Sequence, residues 1–218
     1  MILEGLVVGM FQSNCYVVGD ETTREAMIVD PGDEGDRILD VLQRNNLEAK
    51  IIAVTHSHVD HVAALQPVLD ATGASVAMHR DAYESAKADS GMMRMLLGVG
   101  APQLAKPDLL VEDGDKLAVG SLEFEVLYTP GHAFGHICLA GQGSVFTGDA
   151  LFAGGIGRFD LPGGDGRLLL KSIREKLLSL PDETVVLPGH GPSSTIGEEK
   201  RSNPFLLHPR MYMGIDPD

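Results

Sequence analysis

Thr55-His56-Ser57-His58-Val59-Asp60-His61 puts three of the chain's eight histidines within six positions, with an aspartate among them. The apolar run Ile51-Ile52-Ala53-Val54 precedes it and reads as a buried strand. After it, from His61 to Leu69, apolar residues recur at helical spacing. The heptapeptide is therefore a strand-to-helix loop. In extended backbone, residues two apart project to the same side, so His56 and His58 can converge on one cation. Asp60 and His61, at the first helical turn, point elsewhere. Two ligand pairs with different aims imply two metal ions. The competing reading is a polar surface loop whose histidines fill around a helix start, and the rest of the chain decides between them.

Upstream, residues 2–8, 15–18 and 26–30 read as strands, Pro31-Gly32 breaks the last, and Asp33 opens a helix carrying Ile38, Val41 and Leu42. Downstream, a helix is expected from His61 to about Thr72, stopped by Gly73, then a strand at 75–78, a short helix at 80–87 and a second over the Met-rich residues 92–97. From Leu109 strands return. Leu122, Phe124, Val126 and Tyr128 alternate with Glu123 and Glu125, the pattern of a half-buried strand. Residues 145–147 and 184–187 read as further strands, 168–180 as an amphipathic helix with Lys171 and Glu175 one turn apart, and 198–203 as a last short helix. No linker interrupts the chain, so one domain, residues 1–218, is expected, with similar β-rich halves meeting near residue 108.

Four strands end in a potential ligand: His56, His132, Asp149 and His190. Glycine immediately precedes the last three and lets the backbone turn sharply toward a cation. Ligands at carboxyl ends of strands follow the usual placement of sites in layered α/β folds. The donors are then His56, His58, Asp60, His61, His132, Asp149 and His190. Imidazole and carboxylate without thiolate suit zinc, with iron and manganese as alternatives. Seven donors exceed one tetrahedral ion but fit two ions sharing a carboxylate. Asp149 is the natural bridge, because a carboxylate has two oxygens and an imidazole one coordinating lone pair.

The heptapeptide with His132, Asp149 and His190 resembles the metallo-β-lactamase superfamily along nearly the whole chain. The segment Gly148-Asp149-Ala150-Leu151-Phe152-Ala153-Gly154-Gly155-Ile156-Gly157-Arg158-Phe159-Asp160-Leu161-Pro162-Gly163-Gly164-Asp165 is similar to the glyoxalase II-like (hydroxyacylglutathione hydrolase) branch, in its short bacterial form. That resemblance implies an α/β fold, a four-layer αββα sandwich with the site at the edge between two sheets. It implies one metal on His56, His58 and His132, the other on Asp60, His61 and His190, and Asp149 bridging. The implied reaction is hydrolysis of a thioester, such as S-D-lactoylglutathione or a related acyl-glutathione, by water ionised between the cations, with Asp60 orienting the nucleophile. Alternatives are a persulfide dioxygenase-like oxidoreductase, using one iron on His56, His132 and Asp149, and a lactonase.

The chain departs from the family pattern at Ala133-Phe134, where Thr usually follows Pro-Gly-His, and at Phe159, where Arg-Thr-Asp is usual. Only residues 191–218 follow His190, so the C-terminal helical domain of the long enzymes, which helps bind glutathione, is not expected. Arg158 is a candidate clamp for a substrate carboxylate, or else an ion-pair partner of Asp160. His136 is expected to support a ligand, not to be one. His79 and His208 are expected to be structural or exposed.

A formal net charge of −14, with no run of Lys and Arg, argues against nucleic acid. No apolar run approaches the roughly 20 residues of a membrane span, and Glu4 interrupts the apolar N-terminus, so no signal peptide is expected there. Cys15 and Cys138 lie in strand-like surroundings and read as buried free thiols, which fits a reducing, cytoplasmic location. The expected partner is a small-molecule thioester; the sequence leaves the oligomeric state open.

Overall fold

The computed structural model describes residues 1–89 and 104–215; the helix expected over 92–97 lies outside them. Two six-stranded sheets dominate the structure. The first runs in spatial order β1 (Ile2–Val8), β2 (Ser13–Gly19), β3 (Glu25–Val29), β4 (Glu48–Ala53), β5 (Ser75–His79), β6 (Leu109–Val111). The second runs β14 (Ser194–Thr195), β13 (Val185–Pro188), β10 (Ser144–Gly148), β9 (Ile137–Gly141), β8 (Leu122–Tyr128), β7 (Lys116–Val119). Leu151–Phe152 and Gly155–Ile156 make a small hairpin, β11 and β12. The two halves thus meet close to where the sequence suggests.

Strand periodicity explains the layering. All seven residues of β2 are buried, because both its faces are covered. Cys15 and Val17 join a core with Ile38, Val41, Leu65 and Val68 of the helices α1 (Gly35–Arg44) and α3 (Leu65–Thr72). Tyr16 and Val18, pointing the other way, join Met27, Val29 and Ile51 against Phe124, Val126, Ile137, Leu139 and Phe146 of the second sheet. On the far face of that sheet Cys138, Val145 and Val186 pack on Leu169, Leu170, Ile173 and Ile196. Three cores separate four layers, helices, sheet, sheet, helices, as expected. Each fully buried Leu, Ile or Phe in these cores contributes about 1.5–3 kcal/mol. Both cysteines are free and buried, and burial pushes the Cys138 thiol up to about 12.

Two helices differ from expectation. The single helix foreseen over 61–72 is split into one turn, α2 (Val59–Val62), and α3. Pro67 lies in the first turn of α3, where its missing N–H does no harm; a continuous helix would put it in the interior. The Ala64 N–H bonds Pro31 O at 3.0 Å instead, which ties this break to the turn after β3. The helix foreseen from Leu168 starts at Gly166, capped by the Asp165 carboxylate on the N–H groups of Arg167 and Leu168, and passes into a π-helical turn at Ile173–Leu177.

Parallel pairings set the site. β3 and β4 run parallel with Val29 opposite Ala53, so Asp30 and Thr55 emerge side by side. β10 and β13 run parallel with Gly148 opposite Pro188, so Asp149 lies beside Gly189 and His190. The Ile137 N–H bonds Thr55 O at 2.9 Å, joining the two sheets at this edge.

Candidate metal centre

All seven sequence-derived donors gather at that edge. His56, His58 and His132 form one cluster and Asp60, His61 and His190 a second, with the donor atoms of each within 4.8 Å of one another. Asp149 stands between: its Oδ1 is 3.4 Å from His61 Nε2, and its Oδ2 is 3.6 Å from both His132 Nε2 and His190 Nε2. His58 Nδ1 and His132 Nε2 are 3.0 Å apart, and His190 Nε2 is 3.1 Å from Asp60 Oδ2. Donors sharing a tetrahedral cation at bonds of about 2.0–2.1 Å sit about 3.3 Å apart, so this spacing accommodates one ion per cluster.

Hydrogen-bond accounting fixes which ring nitrogens are offered. Asp30 accepts from the Thr55 N–H at 2.7 Å, the Thr55 hydroxyl at 2.6 Å and His61 Nδ1 at 3.0 Å. With its proton committed to Asp30, the Thr55 hydroxyl accepts from His56 Nδ1, 3.0 Å away. His132 Nδ1 donates to the backbone carbonyl of Arg158 at 2.7 Å. The Nδ1 positions of these three rings are thus spoken for, and Nε2 of His56, His61 and His132 faces the centre. His56 Nε2, His61 Nε2 and Asp149 Oδ1 are buried without a hydrogen-bond partner. Buried polar atoms left without a partner are costly, and a cation that takes its place among them removes the cost.

The two clusters differ in charge. Burial, and then the neighbouring rings, pushes His56 well below its usual pKa and His58 down to about 4; burial also lowers His132 despite the pull of Asp149. These three are neutral near pH 7. In the second cluster burial opposes charge on His61, but Asp149 and Asp30 outweigh it and raise the pKa well above normal. His190 is raised by its hydrogen bond to Asp60. Burial also works against the Asp149 carboxylate, yet His61, His132 and His190 hold it well below the usual carboxylate range.

Glycine allows the close approaches. A Cβ at Gly189 would lie 2.2 Å from Asp149 Oδ1, and one at Gly157 would lie 1.8 Å from Asp149 O and 2.9 Å from His132 Nδ1.

His136 belongs to neither cluster. Its Nε2 accepts the Asp149 N–H at 3.1 Å, and its Nδ1 donates to Thr129 Oγ1 at 2.9 Å, which in turn lies 3.2 Å from Cys138 Sγ. It therefore aims Asp149 through the backbone. Replacing His136 with Ala leaves that buried N–H unpaired and is expected to weaken metal binding about 10–100-fold, as read by competition against a chromophoric chelator.

Arg158 reaches the site through its carbonyl; its guanidinium is held by Asp160 in two 2.8 Å hydrogen bonds. His79 stacks on Tyr128 and His208 is exposed. Sequence reasoning missed Asp30 and Thr55 as the pair that orients His61 and His56. The available signal was a fifth strand end bearing a carboxylate, obscured because Asp30-Pro31-Gly32 also reads as an ordinary turn.

Residues 8–190 match the metallo-beta-lactamase superfamily. The chain is 38% identical to the hydroxyacylglutathione hydrolase GloC of Haemophilus influenzae over 213 residues, covering 94% of this chain and 98% of that one. Among solved structures it resembles the BLEG-1 B3 metallo-beta-lactamase (TM-score 0.84, 35% identity, 94% of this chain and 99% of that one). It also resembles TTHA1623 in a di-iron-bound form (TM-score 0.83, 38% identity, 93% and 100%). The fold, the clustered His and Asp donors and these likenesses agree: the chain belongs to the metallo-beta-lactamase superfamily.

Proposed function

We propose that this chain is a metal-dependent thioester hydrolase of the hydroxyacylglutathione hydrolase kind, with two divalent cations, zinc or iron, on the seven donors. The observation that carries the reading is the set of buried, unpartnered atoms His56 Nε2, His61 Nε2 and Asp149 Oδ1 between two complete donor clusters. The likeness to GloC supports the choice of bond, and the likeness to a di-iron protein supports the metal count.

Bound there, the two cations supply a water acidified toward neutrality and positive charge for the carbonyl oxygen. His56, His58 and His132 present neutral lone pairs, Asp149 spans both clusters, and Asp60, partly exposed beside His190, orients the attacking water. The water oxygen bonds to the acyl carbon and the carbon–sulfur bond breaks. The sulfur leaves with the electron pair as thiolate, which needs little help, and a carboxylate and a thiol result.

A one-iron oxidoreductase would need only His56, His132 and Asp149. The equally close convergence of His58, Asp60, His61 and His190 supports the two-metal hydrolase instead. The chain loaded with zinc, and separately with iron, is expected to hydrolyse S-D-lactoylglutathione or another acyl-glutathione without oxygen uptake. Oxygen consumption with glutathione persulfide, by protein holding one iron per chain, would overturn this.

The charge difference between the clusters gives a pH signature. His61 and His190 have raised pKa values, so near neutrality a proton occupies the second cluster and must be displaced by metal; lowering the pH strengthens that competition. The first cluster, with lowered pKa values, has no such proton to lose. Between pH 6 and 8, calorimetric titration is expected to find one metal affinity nearly constant and the other rising with pH, accompanied by proton release.

A further inference from the structure

The chain has seven phenylalanines. Phe124 and Phe146 fill the core between the sheets, and Phe159 and Phe205 pack against the outer core. Phe134 and Phe152 follow the donors His132 and Asp149 by two and three residues, and Phe11 stands on the turn that leads to Ser13, which is anchored at the site. Phe11 is half exposed on the β1–β2 turn, next to the largely exposed Met10. Two residues on, Ser13 pairs with His190 as an isolated bridge and its hydroxyl donates to Asp60 O at 2.6 Å. Two residues span at most about 7 Å, which bounds how far Phe11 can stand from that anchor. Phe134 is half exposed two residues after His132, and its ring lies over Gly163, where a Cβ would come within 2.7 Å of it. Phe152 sets its ring nearly perpendicular to His190, with centroids 6.2 Å apart.

The same loops are poor in positive charge. Residues 9–14, 55–64, 129–136, 149–157 and 188–195 contain no Lys or Arg, and the guanidinium of the adjoining Arg158 is held by Asp160. Beyond the donors, these described loops therefore offer aromatic surface and, among their residues, no free side-chain cation to read a carboxylate or phosphate. Large apolar side chains left half in water around a polar centre mark a surface that binds apolar matter.

We infer that Phe11, Phe134 and Phe152 form an apolar rim that selects the acyl half of the substrate, favouring thioesters whose acyl group is bulky and apolar, aromatic or branched, over small hydroxylated ones. This rests on the thioesterase reading above and narrows it. The acyl half is the occupant because a glutathione leaving group carries carboxylates, for which the described rim residues offer no side-chain cation.

The test uses the metal-loaded full chain and S-acyl-glutathiones carrying acetyl, lactoyl, isovaleryl and phenylacetyl groups. The kcat/KM for the phenylacetyl thioester is expected to exceed that for acetyl by about 10–200-fold, the discrimination an apolar pocket provides. Phe134→Ser and Phe11→Ser, which leave Phe152 against His190, are each expected to lower that ratio about tenfold, mainly through KM, with two metals per chain retained. A wild-type ratio near one, or variants that change the oligomeric state and not the ratio, overturn the rim. A binding readout separates the two claims. Phenylacetate should raise the melting temperature of the loaded protein more than acetate does, and Phe134→Ser should abolish the difference. Should no thioester be cleaved while phenylacetate still binds through Phe134, the hydrolase reading falls and the rim stands; equal shifts from the two acids sink the rim.

Discussion

Replacing Asp149 with Ala is expected to empty both cation positions together and to lower the proposed thioester hydrolysis by about 10³-fold or more. Losing a residue that merely supports a metal ligand costs about 10–100-fold, and Asp149 is a donor facing both clusters, with contacts at 3.4–3.6 Å to His61, His132 and His190. No neighbour can substitute, since Gly148 and Gly189 flank it and Asp60 is engaged with His190 at 3.1 Å. His58→Ala strips only the first cluster and should leave the second partly loaded. Elemental analysis of both variants beside the parent chain checks this. Full metal content in Asp149→Ala would refute the bridging assignment.

The second large effect is expected away from the donors. Asp30→Ala deletes the acceptor of three buried donors, the Thr55 N–H, the Thr55 hydroxyl and His61 Nδ1. Each unpaired buried donor costs about 1–3 kcal/mol, so roughly 3–9 kcal/mol of stability is at stake for the three, a large part of the 5–15 kcal/mol typical of a whole protein. For a chain of this length that lowers the melting temperature by on the order of 10 °C. His61 also loses the partner that fixes its ring, and the Thr55 hydroxyl that holds His56 loses its own anchor, so metal affinity should fall in parallel. Asp30→Asn, which keeps the shape and one accepting oxygen, should recover part of the stability. A melting temperature for Asp30→Ala within about a degree of the parent, with metal chelated from both, contradicts the role given to Asp30.

Much of the site was legible in the sequence because its donors occupy loops after strands, and both signals survive without knowledge of packing. His-x-His projects two rings to one side from extended backbone, and glycine before His132, Asp149 and His190 marks places where the chain must turn and approach closely. The four-layer arrangement was legible through the family resemblance, while the chain's own pattern marked its strands: the apolar run Cys15-Tyr16-Val17-Val18 in a strand covered on both faces, and the alternation of β8 in one half covered. Asp30 was not legible, since its function depends on β3 lying parallel to β4 with Val29 opposite Ala53, and local sequence carries no register across a crossover. The break before α3 was missed for a similar reason: it depends on the Ala64 N–H finding Pro31 O, a contact 33 residues back. The unequal charge of the two donor clusters follows from which rings face Asp149 and Asp30, and that is a matter of three-dimensional placement alone.

The central claim is that two neighbouring cations are held by side chains delivered from both sheets, and anomalous diffraction from crystals of the zinc- or iron-loaded chain tests it most directly. The account predicts two peaks: one bounded by His56, His58 and His132, the other by Asp60, His61 and His190, with Asp149 touching both. A single peak at full occupancy, with Asp60 and His190 bound to no metal in protein that is catalytically active, would contradict it.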